Sequence, residues 1–359
     1  VDPEELLNEG SALPFLAAQH VGLINSIPTT FGQLNADGMF PAEGLDTPFV
    51  RIDIQDGVIR ALPVTPGGRP STIARHGQGT GKIFEIPNIS HEDSVLAADI
   101  RKWRALASRA REPETMLVDS IERRHARNRL KFDITMEVMK MGALKGQIRD
   151  GANTLLYDLY EVFGLDQEVV YLDLNNANFN LPAALEEIIG GTEDRLVNDI
   201  MSGVEARISP EMYNKIIQHP SLEKYYANTP AMMQLLNQQR SNVNGQYRRT
   251  IEIGGLVLKE YRAKVKMWGA ADDASLTRLI EANEGYAYPL GTAESQATYV
   301  APPLDIREEG AAGVDDLIHM TEETMKHGAG LEWKYQANAL PLWQKPALLT
   351  KLVLGADPG

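Results

Sequence analysis

The sequence predicts an α+β protein organised on one long helix, with a β-hairpin arm before it and a second α/β unit inserted after it. Three observations carry this. Between Pro113 and Gly146, the apolar residues Leu130, Ile134, Val138, Met141 and Leu144 recur at three- and four-residue steps, as one face of a helix requires. Val50, Ile52 and Ile54 alternate with Arg51, Asp53 and Gln55 and run into Asp56-Gly57, a two-residue hairpin turn. From Leu181 the pattern changes to shorter helices and a second hairpin around Gly254-Gly255.

The 359 residues suffice for two or three compact units, and 43% hydrophobic with 23% charged residues is a globular composition. With no cysteine, disulfides and thiolate metal sites are excluded. No apolar run reaches the roughly 18 residues of a membrane span. The acidic start Val1-Asp2-Pro3-Glu4-Glu5 is unlike a signal peptide, so a soluble, non-secreted protein without membrane partners is expected. A net charge of -14 opposes general duplex binding, which depends on basic side chains that neutralise phosphates. The charge is uneven: Arg101 to Lys131 holds ten Lys and Arg against Glu112, Glu114, Asp119 and Glu122. Such a strip is either a solvated helix face or a docking surface for an acidic neighbour.

Taken in order, residues 1–47 mix short apolar groups with Pro14, Pro28 and Pro41 and have no sustained period, so they form an extended arm. In the hairpin that follows, Val58 to Val64 is the expected return strand. Residues 65–81 are a Gly- and Pro-rich loop before the strand-like Ile83-Phe84-Glu85-Ile86. Ser90 with Asp93 resembles a capping box that opens a helix through Val95, Leu96, Ile100 and Trp103. In the long helix, Pro113 suits the first turn, and Lys145-Gly146 sit where a helix stops. Leu155 to Phe163 and Val169 to Leu174 read as short strands, or a strand and a turn. Helices are expected over 182–189, 195–201, 210–218 and 230–240, then the hairpin from Thr250 to Ala263 and a segment Leu276 to Glu281. Extended patterns return after Gly291, including Leu331 to Gln336 and a last strand from Ala347 to Leu354.

Little in the chain suggests catalysis. Gly77-Gln78-Gly79-Thr80-Gly81-Lys82 invites a phosphate-loop reading, but His76 stands where the first glycine belongs and Ile83 where Ser or Thr would meet magnesium. None of the seven histidines is paired at helical ligand spacing, so no metal or other cofactor is expected. Asp272-Asp273, Asp315-Asp316 and Glu322-Glu323 point to different sides of any regular element and form no acid–base pair. There is no G-x-S-x-G. An arm, a hairpin and a long helix without chemistry suggest assembly rather than enzymatic function.

The order of motifs resembles the major capsid proteins of lambda-like tailed bacteriophages, the capsid E family. The carriers are Ile86-Pro87-Asn88-Ile89 followed by Asp93, Val95, Ala97 and Asp99; Thr135, Glu137 and Ala143-Leu144-Lys145-Gly146; and Phe163-Gly164. Later come Gly255 with Tyr261, Pro289 to Gly291 leading to Ala301-Pro302, and Gln336 to Leu342 with Lys345-Pro346-Ala347. The resemblance spans about residues 48 to 354. Asn338-Ala339-Leu340-Pro341 and Lys345 depart from the family's ending.

The resemblance implies the Hong Kong 97 type capsid fold. Its expected parts are an N-terminal arm (1–47), an extended hairpin loop (48–88), a peripheral domain (89–180 and 298–359) with spine helix 113–146, and an axial domain (181–297). It also implies a self-assembling virion protein made in the host cytoplasm, forming pentamers and hexamers that enclose double-stranded DNA with scaffold and decoration proteins. Assembly contacts are expected at Arg51, Asp53, Asp56, Gly57, Arg60, Arg69, Arg75, Lys82, Arg123, Arg124 and Arg127. Some relatives of this fold join lysine to asparagine covalently; Lys82 lies in the corresponding loop, but no partner is identifiable. A non-viral encapsulin-like shell and a soluble nucleotide-binding enzyme are the alternative readings.

Overall fold

A computed structural model of the chain describes residues 24, 27, 31–54, 80–99, 113–196, 199–222, 240–243, 246–269, 276–305, 317–356 and 358. A one-turn helix α1 (Gln33–Ala36) precedes β1 (Ala42–Gly44), β2 (Phe49–Ile54), β3 (Thr80–Glu85) and β4 (Asn88–Leu96). Helix α2 (Pro113–Lys145) follows, 33 residues and about 50 Å long. Next come β5 (Gln147–Arg149), β6 (Leu155–Asp158), α3 (Leu159–Phe163), β7 (Glu168–Leu172), α4 (Leu181–Arg195), β8 (Gly203–Ile208) and α5 (Pro210–Gln218). The remaining strands are β9 (Arg240–Val243), β10 (Gln246–Ile253), β11 (Leu256–Glu260), β12 (Lys264–Val265), β13 (Thr277–Arg278), β14 (Glu284–Leu290), β15 (Gln296–Val300), β16 (His319–Thr324), β17 (Gly330–Trp343) and β18 (Thr350–Leu354).

The chain divides into two units. The first takes residues 1–50, 85–140 and 297–342, and its sheet has the order β1-β15-β17-β16, with β4 also on β17. Strand β4 pairs antiparallel with β17 from Gly330↔Leu96 to Asn338↔Asn88, nine consecutive pairs. At the start of this ladder a Cβ on Gly330 would lie 2.1 Å from the Val95 carbonyl oxygen, so only glycine fits there. Phe132 of α2 packs with Val95, Ile318, Met320, Trp333, Tyr335 and Ala337, and Ile24 is buried in the same cluster.

The second unit takes residues 51–84, 141–296 and 343–359. Its seven-stranded sheet has the order β7-β18-β14-β8-β11-β10-β9, so β7 and β18 join strands from the 181–297 stretch. Strand β8 runs parallel to β11 and antiparallel to β14, and β18 runs parallel to β7. Leu181, Leu185 and Ile188 of α4 and Met212, Tyr213 and Ile216 of α5 bury against Val204, Ala206, Ile208, Leu256 and Leu258. Both helices start from side-chain caps: Asn180 accepts from the Ala183 N–H and Ser209 from the Met212 N–H.

Several expectations hold locally. The α2 range, the Gly254-Gly255 hairpin and α5 lie where the sequence placed them, and the last strand is shorter than the expected 347–354, running over Thr350–Leu354 after a 3-10 turn at Pro346–Leu348. Four readings need correction. Residues 88–96 form β4 rather than a helix opened by Ser90, because the long ladder with β17 outweighs the capping signal, and helix begins only at Ala97. Residues 199–202 are not helical; α4 instead runs on to Arg195. Leu159–Phe163 is a helix capped by Asp158, whose side chain accepts from the Tyr160 and Glu161 N–H groups. On α2, Val138, Met141 and Leu144 are buried but Leu130 and Ile134 are only half-buried. Strand β2 is paired with β3. The turn at Asp56-Gly57, the return strand Val58–Val64 and 230–239 of the expected helix 230–240 lie outside the described residues, while Arg240 opens strand β9 instead.

Candidate assembly interface

Helix α2 organises the first unit through charged groups that lie inside it. Glu137 is fully buried, and its carboxylate accepts from the backbone N–H of Leu34 (3.0 Å) and Asn35 (2.9 Å) at the start of α1. Asn35 then donates its side-chain amide to the Asp133 carbonyl at 2.9 Å. Gly32 enters this joint at φ +98, and a Cβ there would stand 2.2 Å from Glu137 Oε2. One carboxylate thus fastens the segment after the N-terminal stretch to the helix. Burial pulls the nearby Lys140 ammonium below its usual range, against the opposing pull of Glu137 and Asp133.

The basic strip has a tied side and an open side. Arg124 donates to Asp93 Oδ1 at 2.8 Å and to the Ser94 carbonyl at 2.7 Å, and Asn128 donates to the other Asp93 oxygen at 2.9 Å. Arg129 pairs with Asp133 at 3.1 Å inside the unit. Arg123, Arg127 and Lys131, four residues apart, are exposed along one helix face. Lys131 donates to His91 Nε2 at 2.7 Å and to Asn128 Oδ1 at 3.0 Å. Burial and the adjacent Lys131 charge lower the His91 pKa, favouring the neutral ring that can accept this bond. On the sheet, Glu323 stands opposite Glu332 and Lys334 opposite Glu92. These four and Asp305 line an acidic groove beside the exposed Leu304.

Of the other predicted contacts, Arg51 is exposed on β2, Asp53 lies in the same strand, and Lys82 is half-buried on β3. Asp56, Gly57, Arg60, Arg69 and Arg75 lie outside the described residues. Thr80, Gly81 and Lys82 belong to a strand, so the glycine-rich run does not lead directly into the helix that phosphate binding needs. Among the described residues, no group of three or more His, Asp or Glu is placed to hold a metal ion, and no helix is long and apolar enough to cross a membrane.

Two features of the second unit were missed in the sequence. On β8, Glu205 and Arg207 are buried; they pair at 2.8 Å, Lys259 reaches the second Glu205 oxygen at 2.5 Å, and Tyr288 donates to the first. Burial raises the Tyr288 phenol far above its usual value, so it stays a donor. Near the start of α5, Pro210, Glu211, Asn214, Tyr261, Arg262 and Arg278 border a cavity of about 320 Å³. Arg278 donates to Glu211 Oε1 at 2.5 Å and holds that carboxyl below its ordinary range.

The family model for phage major capsid protein E matches residues 19–354. The chain is 26% identical to the major capsid protein of Salmonella phage Felix O1 (isolate Felix O1-VT1), over 99% of this chain and all of that protein. It is 26% identical to the major capsid protein of Pseudomonas phage KPP10, over 77% of this chain and 81% of that one. Among solved structures, a putative capsid protein of a prophage from E. coli CFT073 superposes with TM-score 0.57 at 10% identity, covering 94% of this chain and 98% of that one. A phage-related protein from Bordetella bronchiseptica RB50 superposes with TM-score 0.50 at 12% identity, covering 94% and 95%.

Proposed function

Because the chain belongs to the phage major capsid protein E family, and is therefore a structural, non-enzymatic subunit of the phage head, we propose that it closes an icosahedral shell from pentamers and hexamers of itself. The match over residues 19–354 carries this reading, since it takes in nearly the whole chain. In this reading 1–47 is an arm and 48–88 a loop that each reach a neighbouring subunit. Residues 89–180 and 298–359 form a peripheral domain, and 181–297 an axial domain around the symmetry axes. Many modest contacts, repeated around a closed symmetric shell, give collective stability without a strong bond at any one place.

The exposed Arg123 and Arg127 meet an acidic face of a neighbour, which is consistent with a chain whose remaining residues carry a net negative charge. The enclosed genome is double-stranded DNA held without sequence recognition, and the net charge of -14 keeps it from adhering to the wall. Scaffold and decoration proteins complete the partner set. Negative-stain electron microscopy with size-exclusion chromatography tests the reading. Capsomers, shells or tubes are expected from the purified chain or on co-expression with neighbouring head genes. Monomer under both conditions would overturn it.

A further inference from the structure

Two patches of opposite charge stand on the second unit. On α4, Glu186 and Glu187 are each followed seven residues later, nearly two turns, by Glu193 and Asp194, so the four form one stripe. All four are exposed, and their carboxylates make no hydrogen bond or ion pair among the described residues. The stripe does nothing for the helix itself. Glu193 and Asp194 stand in its last turn, where the dipole favours cations, and Arg195, its only basic residue, pairs instead with Glu168 at 3.7 Å and donates to Thr350 at 2.7 Å. The other patch is cationic. Lys264 and Arg278 face each other directly across β12 and β13, an unfavourable position for like charges, and both border the cavity beside α5 with Arg262. Arg262 is held by Glu260 at 2.6 Å and Arg278 by Glu211 at 2.5 Å, whereas the exposed Lys264 ammonium has no such partner among the described residues. The patches lie at opposite ends of β11, a strand about 17 Å long. A Cβ on Gly254, just before that strand, would lie 3.8 Å from Glu186 Oε2, and Arg262 comes two residues after its end.

We propose that the acidic stripe on α4 of one copy docks on the Arg262/Lys264/Arg278 patch of a second copy, with Lys264 as the cation its carboxylates neutralise. Both surfaces are solvent-accessible, so the approach of a neighbour is open to each. Two α4 stripes would repel one another, and so would two cationic patches, so a twofold contact through either surface is disfavoured. Opposite charges at opposite ends of one strand instead let every copy offer one patch forward and the other behind. That is a heterologous contact, which generates rings when the rotation closes. The inference rests on the shell reading above, in which 181–297 surrounds the symmetry axes, and it assigns one contact within each ring.

Carbodiimide coupling tests the contact in the unmodified chain. It joins a carboxylate to an amine only where the two touch, an amide forming while the carbodiimide takes up the water. Peptide mass spectrometry of coupled particles is expected to find Lys264 joined to the 186–194 segment, and dissociated subunits should give none of this product. Charge reversal supplies a second readout. Glu187→Lys with Asp194→Lys, and separately Lys264→Glu, should each lower particle yield at least about tenfold, because each sets like charges against one another in the contact. The unfolding temperature of the subunits should not fall, since none of the three side chains is paired within the chain. All three substitutions together should recover most of the yield. Particles without the Lys264 coupling, or with the α4 carboxylates joined only to other lysines, would overturn the proposal while leaving the shell reading intact. Yield lost in both reversals and not recovered in the combination would overturn it in favour of separate partners for the two patches. Failure of the unmodified chain to form particles would defeat the shell reading, and this proposal with it.

Discussion

At the scale of single residues, Glu137 carries more structure than its charge suggests. A fully buried carboxylate that accepts two backbone N–H groups cannot be removed without leaving both donors unsatisfied. Glu137→Ala should cost about 3 kcal/mol in denaturant unfolding and open residues 31–36 to proteolysis. Glu137→Gln, which retains one acceptor oxygen, should cost less. His91 makes a second prediction. Its ring lies against Tyr335 and faces Lys131, Asp93, Glu92 and Asn128, with burial and Lys131 lowering its pKa from the ordinary 6.5. Between that lowered value and 6.5 the unfolded chain binds more protons than the folded one. Stability therefore falls as pH drops through this window and recovers as pH rises. His91→Gln should flatten the dependence, as read from denaturation midpoints between about pH 7 and pH 5.

At the scale of elements, α2 carries both arginines paired inside its unit and arginines left exposed. Arg124 and Arg129 are used within the unit, whereas Arg123 and Arg127 are exposed. Arg123→Glu with Arg127→Glu should change stability by no more than about 0.5 kcal/mol yet lower particle yield on sedimentation. The sequence could locate the strip but not divide it, because Asp93 lies on a strand 31 residues away in the chain. The same reason explains other misses. Strand β8 reads Gly-Val-Glu-Ala-Arg-Ile, with two charges where a central strand should be apolar, and only the fold brings Lys259 and Tyr288 to complete their pairing. The hairpin at Gly254-Gly255 was legible because both glycines supply positive φ, at 61° and 91°, and local geometry alone specifies the turn. Glu137 was noticed in a family pattern, but its partners are 102 and 103 residues away and nothing local announced its role.

At the scale of the whole molecule, each unit encloses its own apolar cluster beside a sheet. The order of the seven-stranded sheet has a further consequence, in the timing of synthesis. Strand β18 lies between β7 and β14, pairing Thr350 with Glu168 on one side and Ala287 on the other. A chain still attached to the ribosome cannot complete that sheet until residue 354 has emerged, so closure of the second unit comes after nearly all of its other strands have been made. A chain ended before Thr350 should retain a dynamic second unit, seen as fast hydrogen exchange in β14 and β7, and be excluded from particles when mixed with the full chain. The completeness of the chain and its capacity to join neighbours are thereby expected to be coupled through β18, the last strand of that sheet to be made.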